Sequence, residues 1–72
     1  MTAYENWIMT VANKSENPKV AIKVILVNDL FNQNPQAYKL MEEAGQTKFG
    51  EEAFNVAVDF LIQKTKNESK NC

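Results

Sequence analysis

The sequence contains neither histidine nor arginine, and all eight of its basic residues are lysines. Histidine is the usual general base near neutral pH and the commonest metal ligand, so its absence argues against catalytic and metal sites. Arginine supplies the planar fork that binds guanine or phosphate bidentately. Because the formal net charge is −1, no overall cationic field attracts a phosphate backbone. We therefore predict no enzymatic activity, no metal and no cofactor, and we regard a nucleic-acid partner as the less favoured one.

Other residues that carry chemistry are also scarce. The single cysteine, Cys72, allows no disulfide within the chain, and we interpret its thiol as an ordinary exposed one. The two glycines, Gly45 and Gly50, are too few and wrongly spaced for a phosphate-binding loop. No apolar run approaches the roughly 18 residues of a membrane span, and residues 1–5 lack the pattern of a signal peptide. These absences predict a cytoplasmic protein whose core depends on packing alone.

The overall composition is that of a folded domain. Hydrophobic residues make up 44% and charged residues 24% of the 72 positions, close to the averages of globular proteins. A chain of this length has room for one domain, which buries roughly 60% of the surface that its unfolded form exposes. We expect a single domain of modest stability.

Residues 2–5, Thr-Ala-Tyr-Glu, have the form of a capping box and predict the start of the first helix. Behind this start, apolar residues recur at positions i, i+3, i+4 and i+7, namely Tyr4, Trp7, Ile8 and Val11. We expect this stripe, with the only tryptophan, to face the core and Glu5 to point away from it. The polar run over residues 13–17 predicts that the helix ends near Ala12.

A second start signal is Asn17 followed by Pro18, because asparagine suits the N-cap and proline the first helical position. The stretch 20–27 is rich in β-branched residues and could also form a buried strand. We favour a helix for three reasons. The N-terminal signal is helical, the apolar pattern continues through Phe31, and no second convincing strand is available for pairing.

Two further helices follow the next Asn-Pro pair, Asn34-Pro35. The third is predicted from Pro35 to Ala44, with Gly45 as its C-terminal cap. The fourth begins within residues 49–52, and its apolar positions are Phe54, Val56, Ala57, Val58, Phe60, Leu61 and Ile62. We thus predict an all-α fold in which four helices form a compact orthogonal or bundled domain over residues 1–63. The polar residues 64–72 are expected to form a frayed tail.

Carboxylates are the remaining candidates for a functional surface. Glu42, Glu43, Glu51 and Glu52 lie close in sequence beside polar turns, which favours a solvated acidic face over an acid/base pair. Such a face suits a basic partner surface. Asp29 lies near the end of the second helix, where the helix dipole disfavours negative charge, so we expect it to cap, to pair with a lysine or to contact a partner. These five residues are the predicted partner-binding surface.

Several motifs, taken in order, resemble those of a known family. They are YENWIM at residues 4–9, Pro18, Asp29 with Phe31, MEEAG at residues 41–45, and Phe54 with Ala57. Their order and approximate spacing resemble the YozE-like family of small SAM-like helical domains. This sequence departs from that pattern in two places, since Asn32 follows Phe31 where the family has proline, and Val58 replaces a tryptophan. The resemblance implies a compact, SAM-like four-helix bundle from low-GC bacteria or their phages.

These features favour a non-enzymatic protein–protein interaction module in a bacterial host cell. A phage-encoded inhibitor of a host enzyme or defence system, such as an anti-CRISPR protein, would fit this size and acidity. The alternative is a small DNA-binding regulator, which would need a basic recognition helix. A homodimer is left open, because apolar residues such as Val56 or Phe60 could remain uncovered in a chain this short and a dimer would hide them.

Overall fold

The computed structural model describes residues 2–70, with side chains described for residues 2–68. This part of the chain contains four α-helices: α1 (Ala3–Asn13), α2 (Pro18–Phe31), α3 (Pro35–Glu43) and α4 (Glu51–Lys70). The prediction of an all-α four-helix fold is confirmed, and residues 20–27 are helical. The Cα radius of gyration is 11.4 Å, close to the roughly 11 Å expected of a compact chain of this length. The SAM-like character of the packing stays a prediction, and Cys72 lies outside the described residues.

The helices begin where the local signals place them. The capping box at α1 is complete, because the Thr2 hydroxyl accepts from the Glu5 amide at 3.2 Å and the Thr2 amide donates to Glu5 Oε1 at 2.8 Å. Asn17 caps α2 by accepting from the Val20 amide at 3.4 Å. Asn34 caps α3 in the same way, accepting from the Gln36 amide at 3.0 Å. Each side chain satisfies an amide that the helix itself leaves unpaired.

Each of the helices α2 and α3 ends in a turn that contains one residue with a positive φ, in the left-handed region of backbone conformations. After α3, the Gly45 amide donates to the Glu42 carbonyl and the Gln46 amide to the Met41 carbonyl, with Gly45 at φ 80°. This is the Schellman arrangement, and it confirms Gly45 as the predicted cap. After α2 the same pattern places Gln33, a residue with a Cβ, at φ 58°.

The core lies around α2, which contacts each of the other three helices. The largest fully buried side chains of the core are Ile8, Ile22, Leu26, Met41 and Leu61. All four helices contribute to this set, so the apolar stripes of the sequence meet at one centre. No helix among the described residues combines the length and apolar character needed to cross a membrane.

The side of helix α1 that faces the core differs from the side that the sequence predicts. Trp7 is 52% exposed and Val11 is 38% exposed, whereas Glu5 is only 2% exposed. The expectations that Trp7 faces the core and that Glu5 points away are therefore wrong. The buried positions of α1 are Tyr4, Glu5, Ile8 and Ala12. Tyr4, Ile8 and Ala12 pack in the hydrophobic core. Glu5 can share this face because Lys64 of α4 pairs with its carboxylate, an interaction that periodicity within α1 does not reveal.

The predicted boundary at residues 63 and 64 falls inside α4, which continues to Lys70. Lys64, placed at the start of a frayed tail by the sequence, is half-buried and forms ion pairs with Glu5 and Glu43. Thr65 Oγ1 donates to the Leu61 carbonyl at 2.9 Å. These contacts hold a polar segment against the domain, so residues 64–70 belong to α4.

Candidate functional site

The five predicted acidic residues lie on three different helices. Glu43 accepts a hydrogen bond from Lys64 at 3.1 Å, and Glu51 accepts one from Lys23 at 3.1 Å. Glu42 and Glu52 are exposed and make no ion pair within the part of the chain that the structure describes. Two of the four glutamates thus already have a cation of their own chain beside them.

Asp29 has an internal partner. Its Oδ2 accepts a hydrogen bond of 2.7 Å from the hydroxyl of Tyr4, which joins α2 to α1. Burial of the phenol, together with this hydrogen bond to a carboxylate, raises the pKa of Tyr4 far above its ordinary value. The Asp29 carbonyl also accepts from the Asn34 amide at 2.9 Å in the turn after α2. These two contacts give Asp29 a structural role within the fold.

A polar network beneath α1 was missed by the sequence reasoning. Lys64 Nζ lies 3.0 Å from Glu5 Oε2 and 3.1 Å from Glu43 Oε2, so one ammonium links α4 to α1 and α3. Burial alone would raise the pKa of Glu5, but the hydrogen bonds from the Thr2 amide and the Lys64 ammonium outweigh it and leave that pKa lowered. The hydrogen bond to Glu5 raises the pKa of Lys64. Both groups are therefore held in their charged forms.

The space beside this network is small. A cavity of about 90 Å³ lies between the first turn of α1 and α3, with Glu5, Lys39 and Glu43 among its lining residues. A water molecule takes about 30 Å³ of liquid volume, so the cavity has room for only a few waters. No cluster of three potential metal-ligating side chains occurs among the described residues.

The most distinctive surface of the molecule is the outer face of α2. Its members follow one another at spacings of four, three and four residues, which places them on one side of the helix: Val20, Val24, Val27 and Phe31. This side is opposite the fully buried Ile22. Phe31 is 85% exposed and Val24 is 61% exposed. An α-helix that is apolar all round is normally buried, yet α2 is covered on one side only.

Two aromatic residues extend this face, Tyr38 on α3 and Phe49 in the loop between α3 and α4. Tyr38 and Phe49 meet edge to face, with ring centroids 5.4 Å apart and planes at 63°. They line an open groove of about 370 Å³ together with Val27 and Phe31. A second groove, of about 400 Å³, adjoins the first, because Val27 and Phe31 line both of them. We call the combined region the apolar surface, formed by Val20, Val24, Val27, Phe31, Tyr38 and Phe49.

The sequence did contain a signal for this surface. Residues 20–31 carry apolar side chains on most sides of a helix, and the sequence analysis predicted the helix without identifying the side that stays uncovered. The three neighbouring helices leave Val20, Val24 and Phe31 exposed. The apolar positions anticipated as uncovered, Val56 and Phe60, are less prominent: Val56 is 39% exposed, and Phe60 is half-buried beneath Lys64.

The chain has no detectable relative in the comparisons made. No protein-family model, no curated protein and no solved structure matches it. The resemblance to the YozE-like family thus rests on the sequence motifs alone.

Proposed function

We propose that this chain is a non-enzymatic protein–protein interaction module that binds a partner through the apolar surface. The observation that supports this proposal is the uncovered outer face of α2, which is apolar along its whole length and has Phe31 at its end. Aromatic side chains are enriched where proteins bind one another, because they bury much area and lose little conformational entropy. A contiguous apolar patch of this kind is a recognised mark of an interaction site.

The chemistry of the surface defines the kind of partner. Its central residues carry no charge, so charge pairing cannot be the main source of affinity. The surface is elongated along α2, which suits a helix that presents apolar residues at i, i+4 and i+7. We therefore propose an amphipathic helix of a partner protein as the bound element.

An acidic docking site is the less favoured version of the same function. It would use Glu42 and Glu52, the two predicted glutamates that have no ion pair within the described residues. Glu43 and Glu51 would first have to give up Lys64 and Lys23. Breaking those pairs costs part of the free energy that a basic partner would supply.

The biological setting that we propose is a phage or bacterial modulator of a host protein, with an anti-defence role as one example. An inhibitor of this kind acts by covering a surface of its target. Such a role requires a rigid scaffold and an exposed contact face, which this chain has. It requires no catalytic group.

Affinity capture with matched variants tests the proposal. The tagged chain, its Phe31→Glu variant and its Glu42→Gln/Glu52→Gln double variant are each used to capture proteins from a low-GC bacterial lysate, with circular dichroism to confirm folding. We expect a stoichiometric protein that is lost with Phe31→Glu and retained with the double variant. Loss of the captured protein with the double variant, and its retention with Phe31→Glu, would instead assign the binding site to Glu42 and Glu52. Recovery of only nuclease-sensitive material, bound in a salt-dependent way, would overturn the proposal in favour of a DNA-binding regulator.

A further inference from the structure

We infer that the apolar surface binds a second copy of this chain, in a twofold dimer in which the two α2 helices lie antiparallel. The inference rests on the proposed function, because it names a particular apolar helix as the partner of the same surface. Three properties of the surface support it: its shape, its lack of charge and its area.

The shape is self-complementary around Phe31. A twofold interface uses the same patch on both copies, so the patch must offer both a protrusion and a recess. Phe31 is the protrusion, with 85% of its surface exposed. The recess is the groove of about 380 Å³ beside Val20, whose lining also includes Val58, Lys19 and Asp59. Each copy can therefore place its Phe31 in the groove of the other.

The spacing of the face sets the register of the pair. Its four members run from residue 20 to residue 31, so the midpoint lies between Val24 and Val27. A twofold axis through this midpoint brings Phe31 near the partner's Val20 and places Val24 opposite the partner's Val27, with the two Val24 residues about 4.5 Å apart along the helix axis. A large residue then meets a small one at both ends, which is the arrangement that helix packing favours.

Charge also favours a second copy over a charged partner. The outer face of α2 consists of Val20, Val24, Val27 and Phe31, and Lys23 and Asn28 border it. The two lysines at its border are paired within their own chain, Lys19 with Asp59 at 3.6 Å and Lys23 with Glu51 at 3.1 Å. Each of these lysines therefore already has a carboxylate beside it when two copies approach. Antiparallel helices also place opposite ends of their dipoles side by side.

The exposed area predicts a reversible dimer. Phe31, Tyr38 and Phe49 are 85%, 40% and 49% exposed. If a fully exposed aromatic side chain presents about 200 Å², these three rings alone expose roughly 350 Å². With the valines, the patch approaches the upper end of what a monomer usually shows, roughly 300–600 Å². Two such patches bury about 1,200 Å² or less in total, which is typical of weak, concentration-dependent association.

Analytical ultracentrifugation of the whole chain tests this dimer. From micromolar to near-millimolar concentration, we expect the mass to rise from the 8.2 kDa of one chain towards twice that value. Phe31→Glu and Val24→Glu should remain monomeric, while Val11→Glu should still dimerise, because Val11 is exposed on α1 and lines neither groove. Thermal unfolding should show a melting temperature that rises with concentration for the parent chain and Val11→Glu, and no such rise for Phe31→Glu and Val24→Glu.

Disulfide trapping tests the antiparallel register. In a Cys72→Ser background, Val24→Cys lies close to the axis and should form an intermolecular disulfide rapidly under mild oxidation. Val20→Cys should do so slowly, because at 1.5 Å per residue its counterpart is about 16 Å further along the helix axis. Equal rates for the two variants would contradict the antiparallel arrangement.

The outcomes separate this inference from the proposed function. A chain that stays monomeric at all concentrations overturns the dimer, and if Phe31→Glu still abolishes capture of another protein, the proposed function stands. A dimer that persists in Phe31→Glu and Val24→Glu overturns the assignment to α2. A monomer that captures no protein overturns both.

Discussion

The ammonium of Lys64 lies 3.0 Å from Oε2 of Glu5, although 59 residues separate the two along the chain. Glu5 is 2% exposed and also accepts the Thr2 amide, so its carboxylate takes part in both the helix cap and the ion pair. The same ammonium reaches Glu43 on α3. This pair of residues therefore connects the start of α1 to the middle of α4.

Removing either charge of this pair should destabilise the protein unequally. Glu5→Gln keeps an acceptor for the Thr2 amide and leaves Lys64 its second partner, so we expect a loss of about 1–2 kcal/mol in the free energy of unfolding. Lys64→Met leaves a buried carboxylate without its counter-ion and should cost about 3 kcal/mol. Urea denaturation of both variants measures these losses. A smaller effect for Lys64→Met than for Glu5→Gln would contradict this account.

The pair should also shape the pH dependence of stability. The pKa of Glu5 is lowered from its ordinary 4.5, so its contribution is present above pH 4.5 and is lost as the pH falls through the lower folded-state pKa. The pKa of Lys64 is raised from 10.5, so its contribution is lost as the pH rises through that higher value. Denaturation at a series of pH values should show a shallower acid limb for Glu5→Gln than for the parent chain. Identical acid limbs would show that Glu5 is not responsible.

Shortening the C-terminal helix should show where the domain ends. A chain that stops at Gln63 loses Lys64 and leaves Glu5 unpaired, and we expect it to lose about as much stability as Lys64→Met. A chain that stops at Lys66 retains the ion pairs and the Thr65 hydrogen bond and should be clearly more stable than the chain that stops at Gln63. Thermal melts of the two truncated chains provide the comparison. Equal stability of the two truncated chains would place the end of the domain at residue 63, as the sequence predicted.

Gln33 and Gly45 are the turn residues with positive φ after α2 and α3. Replacing Gln33 by glycine and Gly45 by alanine should change stability in opposite directions. Gln33→Gly removes the steric cost of a Cβ at φ 58° and should stabilise the protein by up to about 1 kcal/mol. Gly45→Ala introduces that cost at φ 80° and should destabilise by about 1 kcal/mol, although no atom lies within 4 Å of the new methyl group. The free energies of unfolding of the two variants should therefore change with opposite signs.

The hydroxyl of Tyr4 provides a test of the role of Asp29. Tyr4→Phe removes the 2.7 Å hydrogen bond to Asp29 and should cost about 1 kcal/mol of stability. If Asp29 acts only within the fold, Asp29→Asn should reduce stability but leave partner capture unchanged at temperatures where the variant is folded. Loss of capture with full stability would instead make Asp29 a contact residue.

Signals close in sequence were the reliable part of the prediction. The capping box of residues 2–5, the two Asn-Pro starts and Gly45 depend on atoms only a few residues apart, so they could be recognised without knowing the fold. The assignment of residues 20–27 to a helix succeeded for the same reason. The resemblance to the YozE-like family and the inhibitor role are not tested by the structure and stay predictions.

The candidate site was the weaker part, because it depends on which faces become covered. The sequence named five carboxylates, but whether a carboxylate is available depends on cations far along the chain, such as Lys23 for Glu51 and Lys64 for Glu43. It did not identify the outer face of α2 as a candidate surface. Periodicity shows that a helix has apolar sides, but it does not show how many of them the neighbours can reach.

The sequence by itself determined the helices, their starts, the ends of the first three, and the apolar residues available for a core, because these follow from backbone hydrogen bonding and side-chain spacing within one or two turns. The tertiary structure alone decided that Glu5 is buried and Trp7 exposed, that Lys64 belongs to the domain, and that Phe31 and the valines of α2 face outward. Those outcomes depend on contacts between residues tens of positions apart and on a core too small to enclose its central helix.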